Sequence, residues 1–87
     1  MTAGPAAESE VADRQLDALQ TADPAAYNDV LTVCELVFTS TGRARAMSTA
    51  VRTQEGIVYR LAVPGRFPIK VFWTAEGPRI EAIFPDP

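Results

Sequence analysis

The feature that most constrains the fold is a change of hydrophobic period at Gly56. Before it, apolar residues recur every three or four positions; after it, they recur at every second position. The first period belongs to helices with one buried stripe and the second to strands with one buried face. A chain that switches once between them should be helical first and a sheet afterwards.

In the first part, Ala12, Leu16 and Leu19 fall at i, i+4 and i+7, with Val11 and Ala18 beside them. This spacing predicts a short amphipathic helix from about Glu8 to Gln20. Thr21-Ala-Asp-Pro then breaks one helix and starts another. Asp23 suits the N-cap, and Pro24 suits the first helical position, where its missing N–H has no partner to lose. The second helix should run to Thr39 or Ser40 with a stripe of Tyr27, Val30, Leu31, Cys34, Val37 and Phe38, widened by Val33 and Leu36. Gly42 is the expected stop. So short a connection makes residues 8–41 an antiparallel helical hairpin. Residues 1–7 are expected to be a flexible tail. Residues 42–56 read as a polar connection in which Arg43–Met47 could add one helical turn.

In the second part, Ile57, Tyr59, Leu61 and Val63 alternate up to Pro64-Gly65. Phe67, Ile69, Val71 and Trp73 alternate up to Glu76-Gly77-Pro78, and Ile80, Ala82 and Phe84 alternate up to Pro85-Asp-Pro. Connections this short join antiparallel neighbours, so residues 57–85 form a β-meander. The expected fold is α+β, an N-terminal antiparallel helical hairpin packed on a C-terminal three-stranded antiparallel β-meander. The 87 residues leave room for one domain, 1–87.

The alternation assigns the faces. The residues just named make one apolar face, and the helical hairpin is the cover for it. The opposite face carries Arg60, Lys70, Arg79 and Glu81 among Val58, Phe72 and Ile83. A face that mixes cations with apolar side chains is where partners dock. Its alternative use is as a second packing layer against residues 43–55. Strand three leaves one choice open, since either Ile83 or Phe84 must point outward.

Charge and composition narrow the chemistry. Residues 1–41 carry seven acids against Arg14 alone, whereas residues 42–87 carry seven bases against four acids. Any polyanion would therefore meet the C-terminal part. The chain has no histidine and one cysteine. Those counts exclude a Ser-His-Asp triad, a Cys-His pair, a structural zinc site and an internal disulfide. No metal and no cofactor are expected. Cys34 lies on the apolar stripe of the second helix and reads as core. No apolar run approaches the roughly 18–20 residues that span a bilayer, so the expectation is a cytoplasmic protein with no membrane partner.

The order of elements resembles the RelE/ParE superfamily of bacterial toxins from toxin–antitoxin systems. The residues that carry the resemblance are Tyr59-Arg60-Leu61, the turn at Pro64-Gly65, Ile69-Lys70-Val71-Phe72-Trp73, and the closing Ile80-Glu81-Ala82-Ile83-Phe84-Pro85. The helix from Ala25 to Phe38 ahead of Gly42-Arg-Ala-Arg is similar as well. Some members of that superfamily are mRNA interferases that cut mRNA on the ribosome, and others poison DNA gyrase. Both kinds are held by a cognate antitoxin.

The resemblance implies Arg60 and Lys70 as catalytic residues, with phosphates bound or steered by Arg43, Arg45, Arg52, Arg66 and Arg79. Val58, Phe72 and Ile83 are the expected apolar anchors for a partner such as the antitoxin, and an exposed sheet edge would allow a homodimer. The sequence departs from the family pattern at Ala62, where a further base is usual. It departs also at the C-terminus, which has no terminal base, tyrosine or histidine, and at the N-terminus, where the opening strand is replaced by an Ala/Glu-rich segment.

Overall fold

Ser9 starts the first element by doing two jobs. Its hydroxyl oxygen accepts from the Ala12 N–H at 3.0 Å, capping α1 (Glu10–Ala22), and its hydroxyl donates to the Glu81 carbonyl across the fold. The computed structural model describes residues 8–85, apart from the side chains of Phe67 and Pro85. The expected tail at 1–7, the Asp86-Pro87 stop and the facing of Phe67 lie outside the described residues.

α2 spans Pro24–Thr39, with Pro24 in its first turn and the Asp23 carboxylate accepting from the Ala26 N–H at 3.1 Å. The expected cap and break are therefore in place. Gly42 does not stop this helix. The chain leaves α2 at Ser40, whose N–H donates to the Leu36 carbonyl, and re-enters a helix at once as α3 (Thr41–Met47), with Gly42 inside it.

The segment 42–56 is the main correction. It holds α3 and a fourth strand, so the sheet has four strands rather than three. The strands are β1 (Thr49–Thr53), β2 (Gly56–Val63), β3 (Arg66–Thr74) and β4 (Arg79–Pro85), antiparallel in the order β1-β2-β3-β4. Residues 43–55 thus do not cover the second face of the sheet: α3 packs on the first face and β1 extends the sheet sideways. The β1–β2 turn is closed by Thr53, whose hydroxyl donates to the Gly56 carbonyl at 2.7 Å and accepts from the Glu55 N–H at 3.2 Å. Pro64-Gly65 links β2 to β3, with Gly65 at φ +76°, a backbone region that costs glycine little. Pro68 falls where β3 loses its β2 partners, between Lys70 opposite Ala62 and Arg66 opposite Val63. A residue without an N–H belongs in such a gap.

All three helices cover one face. Ala12, Leu16, Val30, Val33, Cys34, Val37 and Ala44 meet Leu61, Val63, Val71, Trp73, Ile80 and Ile83 in one core. Trp73 is fully buried at its centre, and its indole N–H donates to the Ser48 hydroxyl at 3.1 Å. Each fully buried valine or isoleucine here stabilises the fold by about 1.5–3 kcal/mol.

Strand three of the expected meander, β4, departs from strict alternation. Ala82 pairs with Phe72 but Ile80 pairs with Trp73, so Glu81 is an extra residue, a β-bulge. Ile80 and Ile83 therefore both face the helices, and Ala82 and Phe84 face outward. Ile83 is 5% exposed and Phe84 44%. This resolves the choice between them and corrects the sequence-based placement of Ile83, Ala82 and Phe84.

Candidate functional site

The candidate site is the sheet face that no helix covers. Cross-strand pairing sets its rows. Thr49, Arg60, Phe72 and Ala82 form one row, and Ala62, Lys70 and Phe84 form the next. Arg60 and Lys70 are thus diagonal neighbours on one face, a relation that separates residues by roughly 7–8 Å. Both also hold interactions within the chain. Beside them the Phe72 and Phe84 rings meet edge to face, with centroids 5.7 Å apart and planes at 71°. Two cations next to a pair of partly exposed aromatic rings can bind an anion that also presents a flat or apolar group.

The remaining predicted bases do not join this pair. Arg79 lies on the same face but at its far end, opposite Thr74, and its Nε is 3.9 Å from the Glu81 carboxylate. Glu81 in turn accepts from the Thr74 hydroxyl at 3.1 Å. Arg66 points to the helix side. Its Nε donates to Asp29 at 3.0 Å and its guanidinium lies 3.8 Å from Asp23, so it ties the β2–β3 turn to the start of α2. Arg43 and Arg45 are exposed on α3, and Arg52 is exposed on β1 opposite Ile57.

Of the apolar anchors, Val58 and Phe72 lie on the open face and Ile83 does not. Phe84 stands in its place, because the bulge at Glu81 shifts the alternation of β4 by one residue. A polar Glu81 between Ile80 and Ala82 is compatible with either facing, so periodicity alone could not decide. β1 carries one weak signal in the sequence. Thr49, Val51 and Thr53 alternate as β-branched residues do in strands, and Gly56 ends the turn.

Cys34 is buried in the core, 4% exposed, and burial, helped by the nearby Glu8 charge, pushes its thiol up to about 12. It is an inert core residue. Among the described residues no group of histidine, cysteine, aspartate and glutamate could hold a metal ion, and no helix is long and apolar enough to cross a membrane.

No family model, curated protein or solved structure matches the chain.

Proposed function

We propose that this is a RelE/ParE-like toxin-family protein of a type II toxin–antitoxin system, acting on translation or replication, by ribosome-dependent mRNA cleavage or by gyrase inhibition. The observation that carries the reading is the placement of Arg60 and Lys70 as diagonal neighbours on the open face of the sheet. These are the two positions at which the resemblance implies an anion-handling pair. In the RNA-cleaving form of the reading, they neutralise the phosphate as charge develops on it, and the substrate is mRNA on the ribosome. In the binding form, the target is DNA gyrase, met through helical or sheet-edge residues, and no proton-transfer group is needed.

A second reading is favoured by the aromatic pair. Phe72 and Phe84, with Val58 on the same face, suit a non-toxic family member that acts as a small interaction module for an antitoxin-like segment.

Growth after tightly induced expression in a bacterial host separates these readings. Arrest by wild type and relief in Arg60→Ala/Lys70→Ala supports a toxin that works through the face, and ribosome-dependent mRNA cleavage is then assayed. Arrest by both proteins moves the toxic surface elsewhere, as gyrase binding through another element would. Normal growth with soluble wild-type protein rejects toxicity in that host and leaves the interaction module.

A further inference from the structure

The two edges of the sheet are treated differently. Along β4 the edge is closed: the Ser9 N–H donates to the Ile80 carbonyl at 2.9 Å, the Ile83 N–H donates to the Gln15 side chain at 2.6 Å, and Glu8 bridges to Ile80. Along β1, no described residue closes the edge. Its pairing with β2 is regular from Thr49 to Thr53, without proline or bulge, so one side of its backbone has donors and acceptors to offer.

The surroundings of this edge say what it would accept. Exposed apolar side chains occur next to β1 in the fold: Met47, 54% exposed, two residues before it, and Ile57, 44% exposed, opposite Arg52 on β2. Arg43 and Arg45 on α3 and Arg52 on β1 are exposed, and among the described residues none of the three has an ion-pair partner. Arg52 shares the helix side of the sheet with Ile57 and α3. A second copy of the chain added antiparallel to β1 would bring both sets of three arginines to the same side, where they repel. An acidic strand would meet them with opposite charge.

We propose that the β1 edge is a docking site for an extended acidic peptide segment, which adds antiparallel to Thr49–Thr53 as a fifth strand. Backbone hydrogen bonds supply the pairing. Alternate acidic side chains reach Arg52, Arg43 and Arg45, and the intervening apolar ones lie against the opposite side of the sheet near Val51. The site is separate from the Arg60/Lys70 face and stands whether or not that face carries the activity.

The test is a titration of the isotope-labelled full chain with a synthetic peptide that alternates valine and glutamate, followed by amide shifts and hydrogen exchange. Expected are shifts concentrated in residues 47–58, slowed exchange in β1, and affinity reduced roughly tenfold or more in Arg43→Glu/Arg45→Glu/Arg52→Glu. A valine–lysine peptide should not bind. Because surface charge reversals seldom unfold a protein, the variant's own spectrum serves as its folding control. Shifts centred on Arg60 and Lys70, or no slowing of exchange in β1, would overturn the proposal. So would sedimentation showing that the chain is a dimer whose β1 edge is already protected.

Discussion

At the scale of single residues, polar atoms tie the parts together. Ser48 accepts from the Trp73 indole and passes its own hydroxyl hydrogen to the Ala44 carbonyl at 2.7 Å, joining α3 to the middle of the sheet. Ser48→Ala leaves the indole N–H buried with no acceptor, which costs about 1–3 kcal/mol. Urea unfolding followed by the fluorescence of Trp73, the one tryptophan in the chain, measures this directly. Glu8 acts in the opposite direction. Burial, then the charge of Asp13, a hydrogen bond to Asp13 and the charge of Asp17 raise its carboxyl above the ordinary value. A raised value means the folded state holds the proton more tightly than the unfolded state. Stability from this group is therefore present at low pH and is lost as pH rises from the unfolded carboxylate value to the raised one. Glu8→Gln should then raise the melting temperature at neutral pH, with the gain over wild type vanishing below about pH 4. A gain of the same size at both pH values would assign the effect to packing instead.

At the scale of elements, the bulge in β4 decides which residues are core and which are surface. Ile83→Ala removes a buried side chain and should cost about 2–4 kcal/mol, whereas Phe84→Ala should cost under about 1 kcal/mol. Thermal unfolding of the two variants checks the facing, and equal losses would contradict it. The same element shows where sequence reasoning reaches its end. Asp23-Pro24 announced the start of α2 because capping is a local interaction, and the period of two located β2 and β3 because each buries one continuous face. A bulge inserts one residue against the partner strand, so it is a property of two strands at once. β1 was hidden for a related reason: it pairs on one side only and most of it is exposed, so it lacks the apolar alternation of a strand with a covered face. Of the candidate site, Arg60, Lys70, Val58 and Phe72 follow from the register of β2 and β3. Arg66 could not be placed from sequence because its partners, Asp23 and Asp29, lie far away in the chain.

At the scale of the whole molecule, the first helix and the open face of the sheet differ in charge. α1 carries Glu10, Asp13 and Asp17 on one side of the fold, while Arg60 and Lys70 lie on the face turned away from it. The chain has a formal charge of −3, so a polyanion is repelled at long range and held, if at all, by a few local contacts. That arrangement makes a quantitative prediction for the RNA-directed reading. Each phosphate neutralised on a single strand contributes a slope of about −0.7 to the plot of log affinity against log salt concentration. If Arg60 and Lys70 each take one phosphate, fluorescence anisotropy with a short single-stranded RNA should give a slope of about −1.4. In Arg60→Ala/Lys70→Ala the slope should fall close to zero along with the affinity. A slope unchanged by the double substitution would place the phosphates on other bases, of which Arg43, Arg45 and Arg52 are exposed, and would remove the open face as the RNA-binding surface. A slope several times steeper in wild type would mean that many more bases participate than one face supplies.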